Sequence, residues 1–251
     1  MKILQANIWQ GRLVKNFIEL IKEVNPDIVT LQEVCSCQDI DFQTLNFSSF
    51  EDIKAEYPNF YQVLAPTYSF RVMDAEIMFG SAILSKLPIL DKKIVFTSLE
   101  FKKDFSARYN DYNIRNFVHA IMEVHNTKLN VITHHGYHVE GTKEGNEETT
   151  RQMKMLRNYI EQLEGPVILT GDFNLSPNCE SLEVLNTELN NLCILNKVQT
   201  TRNELASNAM QVCDYIFTND LIKANSFEIE KRIVSDHQAL VLDFEIIDPH
   251  N

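Results

Sequence analysis

Val167-Ile168-Leu169-Thr170-Gly171-Asp172-Phe173-Asn174 carries a short apolar strand into a polar end. Val167 to Thr170 suits a buried strand. Asp172 and Asn174 stand two residues apart, so both point one way if the chain stays extended. The strand follows a helical pattern from Glu147 to Leu163 that Gly165-Pro166 closes. A helix feeding a strand that ends in a carboxylate suggests a parallel sheet, whose strands commonly offer ligands at their C-terminal ends.

The same phrase recurs near the N-terminus. Leu13 to Val24 places Leu13, Val14, Phe17, Ile18 and Ile21 at helical spacing and stops at Asn25-Pro26. The strand Ile28 to Leu31 follows, then Gln32-Glu33, a second carboxylate at a strand end. In the strand Ile3 to Trp9, alternation puts Leu4, Ala6 and Ile8 on one face and Gln5 and Asn7 on the other. Asp236-His237 instead precedes the strand Ala239 to Ile246, and if that strand runs antiparallel its start meets the same rim.

Further strands read at Phe60–Leu64, Gly80–Leu84, Ile94–Thr97, Tyr215–Phe217 and Phe227–Ile233. Phe117–Val124 and Leu129–Thr133 form a hairpin. Ser176-Pro177 reads as the start of a helix to about Leu189. Glu100 to Asn113 reads as a long loop. Many strands with few helices predict an α/β fold of mixed sheets covered by helices. No repeat or linker interrupts the chain, so one domain over residues 1–251 is expected.

The 251 residues are 44% hydrophobic and 23% charged, ordinary for a soluble globular protein. No apolar run is long enough for a membrane span, and Met1 to Asn7 does not read as a secretory signal. A cytoplasmic protein without membrane association or an obligate protein partner is expected. The 5 cysteines are odd in number and irregularly spaced, which fits reduced thiols better than a disulfide framework or a structural zinc site. A soft-metal pair at Cys35 and Cys37 is the weaker alternative. A net charge of −12 opposes tight nonspecific binding to a phosphate polymer.

Each polar residue alone has a plain explanation. A strand Asn is usually a satisfied core group, a strand-end Glu is usually solvated, and an Asp before a turn is a turn residue. Together they differ. Several acids at one rim repel unless a cation or hydrogen-bond donors compensate, and a hard divalent ion prefers carboxylate, amide oxygen and water.

Ala6-Asn7-Ile8-Trp9, Leu31-Gln32-Glu33-Val34, Gly80-Ser81-Ala82-Ile83-Leu84-Ser85-Lys86, Gly171-Asp172-Phe173-Asn174, Asp214-Tyr215-Ile216-Phe217 and Ser235-Asp236-His237 occur in this order across nearly the whole chain. Each is weak alone. In this order the chain resembles the endonuclease/exonuclease/phosphatase superfamily. The resemblance implies the DNase I-like fold, a four-layer sandwich of two mixed β-sheets flanked by helices. It implies hydrolysis of a phosphate ester by in-line water attack with Mg²⁺ or Mn²⁺. Glu33 would be the main metal ligand, with Asn7 and Asp236 helping. Asp172 would activate the water, Asn174 fix its geometry, His135 and His237 donate to phosphate oxygens, and Asp214 orient His237.

One histidine is ambiguous. The family pattern falls on His135 if Val131-Ile132 sets the register and on His134 if Thr133 does; the first is preferred. Gln238-Ala239 and Gly136 depart mildly from the family pattern and touch substrate shape more than chemistry.

Fold does not fix the substrate. Phe101 to Arg115 interleaves basic and aromatic residues as a phosphate-and-base-binding loop does, with Arg108 and Arg115 as substrate contacts. A solvated loop with aromatic anchors is the plainer explanation. The expected substrate is a phosphodiester in nucleic acid or a nucleotide. The alternatives are a phosphatase or phospholipase on inositol phosphate or sphingomyelin-type headgroups, and an inactive binding scaffold.

Overall fold

The computed structural model describes residues 1–39, 47–208 and 210–247. Its first half runs β1 (Lys2–Asn7), α1 (Val14–Val24), β2 (Ile28–Ser36), α2 (Ser49–Glu56), β3 (Tyr61–Val72) and β4 (Ala75–Ser85). The second runs β5 (Ile89–Ser98), β6 (Arg115–Val124), β7 (Thr127–His135), α3 (Glu147–Ile160), β8 (Val167–Asp172), α4 (Glu180–Asn186), β9 (Asn190–Asn191), α5 (Leu192–Leu195), β10 (Asp214–Thr218), β11 (Ile222–Ile229) and β12 (Leu240–Ile246).

These strands form two six-stranded mixed sheets, ordered β11-β12-β1-β2-β4-β3 and β5-β6-β7-β8-β10-β9. Each has a helix-linked parallel pair at its centre. β1 and β2 are parallel around α1, and β7 and β8 are parallel around α3. β12 runs antiparallel to β1, so the residues just before it reach the C-terminal end of β1.

Alternation in β1 decides which side faces what. Leu4, Ala6 and Ile8 pack with Phe17, Leu20 and Ile21 of α1. Ile3 joins Ile28, Ile83, Phe117, Val131 and Leu169 in the core that both sheets share. Toward the C-terminal ends of the parallel strands this contact turns polar. Gln5 Nε2 donates to Gln32 Oε1 (2.7 Å), Gln32 Nε2 donates to Thr133 Oγ1 across the sheets (2.7 Å), and Thr170 donates to Thr30 (2.9 Å). Such buried pairs fix the sheets' register, because an unmade bond leaves a buried polar group costing roughly 1–3 kcal/mol.

Several elements differ from their sequence-based expectation. The loop before β3 contains α2, which buries Ser49, Phe50 and Ile53. Eight residues with two large apolar anchors leave too little periodicity to read. β3 and β4 extend well beyond Phe60–Leu64 and Gly80–Leu84, because β3 alternates small and polar side chains inward: Ala65, Thr67 and Ser69 are buried. The helix expected from Ser176 begins at Glu180, with Cys179 as its N-cap. β11 lies earlier than Phe227–Ile233. α3 is closed at its start by a reciprocal cap, in which Asn146 Oδ1 accepts from Thr149 N (3.0 Å) and Thr149 Oγ1 from Asn146 N (2.7 Å).

All 5 cysteines are free and buried. Cys35 and Cys37 pack in an apolar cluster with Ile77 and Phe79. No helix among the described residues is long and apolar enough to cross a membrane.

Candidate active site

The site is built where β1, β7 and β8 end, beside a bulge inside β2. β2 carries one more residue than β4 between the pairs Leu31↔Ala82 and Val34↔Gly80. This bulge re-aims the side chain there. Glu33 occupies it with φ 56°, a left-handed conformation that costs a non-glycine residue about 1 kcal/mol or more. Asn174 likewise has φ 56° just past β8. Both residues were candidates from sequence, and both hold strained backbone at the cleft.

Asn7 joins the two halves. Its Nδ2 donates to Glu33 Oε1 (3.1 Å) and Asp172 Oδ2 (3.0 Å), and its Oδ1 accepts from Trp9 N (3.0 Å). Asn7 therefore bridges two carboxylates and does not present its oxygen to the cleft. Asp172 Oδ1 accepts from Asn174 N (2.9 Å), which fixes the turn after β8. His135 pairs in register with Asp172 across β7 and β8. Its Nε2 lies 3.9 Å from Asp172 and 4.0 Å from Glu33. His134 points away, its Nδ1 3.1 Å from the Asn116 carbonyl oxygen and its ring edge against Phe173. Strand alternation thus settles the register choice on His135.

From the other sheet edge, His237 Nε2 lies 3.6 Å from Asp172 Oδ2, and its Nδ1 donates to Asp214 Oδ2 (2.8 Å). Thr201 Oγ1 also donates to that Asp214 oxygen (2.8 Å). Asp214 is fully buried behind His237 and orients it without facing the cleft.

The two histidines are shifted in opposite directions. Burial pushes both down. For His237, Asp214 and Asp172 outweigh burial and hold the pKa well above the ordinary value. For His135, burial and the Arg115 guanidinium hold it well below. Arg115 Nη1 sits 3.2 and 3.3 Å from the two ring nitrogens. Burial raises Asp172, but His237, Lys143 and Arg202 outweigh it and lower its pKa. Glu33 is pushed up by burial, with Asp172 and Asp236 adding repulsion.

These groups line a cleft of about 340 Å³. Of the two arginines expected from the basic loop, Arg115 lines it; Arg108 is exposed, 5.4 Å over the Tyr109 ring, and does not. Sequence reasoning missed Lys143, Arg202, Tyr68, Tyr112 and His138, all cleft-lining. Arg202 Nη2 donates to Asp236 Oδ2 (2.8 Å), Lys143 Nζ to Asn174 Oδ1, and Tyr112 OH meets His138 Nδ1 (2.9 Å). Tyr68 lies in β3; the other four come from loops, where no periodicity marks a side chain's direction. His119 is structural, between Tyr159 OH (2.9 Å) and Asn130 Oδ1 (3.0 Å).

A hard cation suits the Glu33 side of this cleft. Glu33 keeps 22% exposure, has an oxygen beyond the one that Asn7 holds, and stands among carboxylates whose repulsion a cation relieves. Asp172, Cys213 and His237 also converge, with donor atoms within 4.8 Å. There His237 Nδ1 is taken by Asp214 (2.8 Å) and lies 3.9 Å from Cys213 Sγ, and burial pushes the Cys213 thiol up to about 11.

Comparison with known proteins agrees with this architecture. No curated protein sequence matches significantly. Solved structures do, at identities that speak to fold. An endonuclease/exonuclease/phosphatase family protein from Leptotrichia buccalis is 18% identical, with TM-score 0.73 over 98% of this chain and 100% of that one. A mannosyl-6-phosphatase from Bacteroides thetaiotaomicron is 14% identical, with TM-score 0.73 over 98% and 100%. The human Nocturnin catalytic domain with bound sulfate is 17% identical, with TM-score 0.72 over 98% and 93%. The sequence model of the endonuclease/exonuclease/phosphatase family matches residues 4–237, and the chain belongs to that family.

Proposed function

We propose that the chain is a divalent-metal-dependent phosphoric ester hydrolase using water as nucleophile. The observation that carries this is the convergence of Asp172, His237 backed by Asp214, His135 and Glu33 in one cleft, with the His237 pKa raised and the His135 pKa lowered. Glu33 would hold Mg²⁺ or Mn²⁺, with Asp236 assisting through water, since Mg²⁺ keeps much of its hydration. The bound ion supplies Lewis-acid stabilisation of the phosphate and the leaving oxygen.

The chain's own groups do the rest. Asp172 accepts a hydrogen bond from the attacking water and takes its proton as the new P–O bond forms and the ester P–O bond breaks. Asn174 holds Asp172 through its backbone N–H. His237 donates from Nε2 to a non-bridging oxygen, its proton secured by Asp214. His135 donates a single neutral N–H. Arg115 stiffens His135 and adds positive potential.

For the substrate, the cleft volume and the net charge of −12 favour a nucleotide-sized ester over a long polymer. A nucleotide phosphodiesterase or nuclease draws support from Arg115 and the aromatic wall of Tyr68 and Tyr112. A phosphatase draws support from the excess of cations on one wall. The test is hydrolysis of bis-p-nitrophenyl phosphate, p-nitrophenyl phosphate and supercoiled plasmid with Mg²⁺, Mn²⁺ or EDTA. Metal-dependent turnover that Asp172→Ala lowers by roughly 10²–10⁴ is expected. Turnover indifferent to both EDTA and the substitution would overturn the mechanism.

A further inference from the structure

The cleft's three long cations are not held alike. Arg202 is neutralised by Asp236 at 2.8 Å. Arg115 is 5% exposed, yet its partners are the Asn113 amide oxygen (3.3 Å) and the neutral His135 ring; its buried Nε has no partner. Lys143 is held by the Asn174 amide oxygen. Among the described residues, neither Arg115 nor Lys143 has a carboxylate in ion-pair range. His138 lies between them, its pKa lowered by burial and then by Lys143 and Arg115.

Amide partners orient a cation without cancelling its charge. Glu33 and Asp172 attract Arg115 only through space, so its buried guanidinium has no carboxylate against it, and an arriving anion relieves that cost. The geometry is also fixed in advance. Asn113 is 5% exposed, and its Oδ1 accepts from Arg115 Nη2 (3.3 Å) and His138 N (2.8 Å), while its Nδ2 donates to the His138 carbonyl (3.1 Å). The loop before β6 and the loop after β7 are thereby stapled together. Ser176 N donates to the Lys143 carbonyl (2.7 Å), which anchors the far end of the second loop beside β8.

We infer that Arg115 and Lys143 form a deliberately unneutralised wall that selects a phosphate bearing two negative charges, so that the preferred substrate is a small phosphomonoester and Lys143 is its specificity-determining residue. This rests on the phosphoester hydrolase reading above. A monoester presents three terminal oxygens and two charges to three donors: Arg115, Lys143 and His237. A diester presents two such oxygens and one charge, and its second ester oxygen would have to face one of the cations. A bridging oxygen is a poorer acceptor and leaves that cation uncompensated.

Two measurements on the whole chain separate this inference from the reading beneath it. The first is calorimetric binding of inorganic phosphate, largely dianionic near pH 8, against dimethyl phosphate, a monoanion, at constant Mg²⁺. Phosphate is expected to bind at least about tenfold more tightly. Lys143→Gln should remove ten- to a hundredfold of phosphate binding, the worth of a charge-assisted hydrogen bond, while changing dimethyl phosphate binding less than about threefold. Lys143→Arg should restore most of it. The second is kcat/KM for p-nitrophenyl phosphate and its bis-ester, where Lys143→Gln should lower the monoester value about tenfold more than the diester value, since both esters share what Lys143 contributes through Asn174 and Asp172. Equal affinity for the two anions, or equal losses on both esters, overturns the inference even if hydrolysis is vigorous. Absence of metal-dependent turnover of any ester sinks the hydrolase reading and the substrate assignment with it, even where phosphate binds selectively.

Discussion

At the residue scale, His134 and His135 show how one step along a strand changes chemistry. His135 faces acids and an arginine in the cleft, while His134 turns into the core with its Nε2 unpartnered. Burial lowers the His134 pKa from 6.5 to about 4, with Arg115 adding to the effect against its hydrogen bond to the Asn116 carbonyl. The unfolded chain takes up a proton near pH 6.5 that the folded chain refuses until about pH 4. The folded state is therefore undiminished above the unfolded pKa and loses stability as pH falls between those values. Urea midpoints at pH 7.5 and pH 5 should show His134→Gln losing about 2 kcal/mol less than the wild-type chain over that interval. Equal losses would mean that His134 is protonated in the fold.

At the scale of the element, the bulge in β2 trades stability for aim. It lifts Glu33 out of ladder register, at φ 56°, so that a strand otherwise buried delivers a carboxylate to the cleft. Glycine adopts that conformation freely. Glu33→Gly should therefore fold with unchanged stability or a gain of up to about 1 kcal/mol, while metal-dependent turnover collapses. A loss above 1 kcal/mol in denaturant titration would show that the Glu33 side chain stabilises the fold through its bond to Asn7 more than its backbone strains it. Gly80 serves the same end from the facing strand: a Cβ there would lie 2.2 Å from the Ala65 carbonyl oxygen, so β3 can close on β4 only at glycine.

At the scale of the whole molecule, two sheets bring acids from distant parts of the chain to one rim. Asn7 and Asp172 are 165 residues apart and share a hydrogen bond; Asp214 and Asp236 arrive beside them on the antiparallel neighbours. Mutual repulsion at that rim is a standing cost of the metal-free fold. Mg²⁺ at about a hundred times its dissociation constant should stabilise the chain by roughly 2.7 kcal/mol, a rise of about 2–4 °C per kcal/mol in melting temperature. Glu33→Gln should abolish most of that rise. A wild-type melting curve unmoved by saturating Mg²⁺ or Mn²⁺ would argue against a metal seat at Glu33.

The sequence by itself determined the parts in which chemistry is written locally. Runs such as Val167 to Thr170 and the helical spacing from Leu13 to Val24 fix strands and helices because burial of their apolar faces leaves little choice. The ordered short motifs named the fold and placed Asn7, Glu33, Asp172, Asn174, Asp214, Asp236 and His237 at strand ends. The fold gathers these residues around one cleft, with Glu33 on a bulge inside β2 and not at its end. Only the tertiary structure decided between His134 and His135, because alternation needs an absolute face and the partner strand supplies it. It alone showed Asn7 turning its amide nitrogen to the acids, Arg108 pointing away from the cleft, and Arg202, Lys143 and His138 entering it. A loop residue's direction is set by what the loop packs against. For Lys143 and Asn113 that surface is assembled from strands far away in sequence, so no local pattern could carry the information.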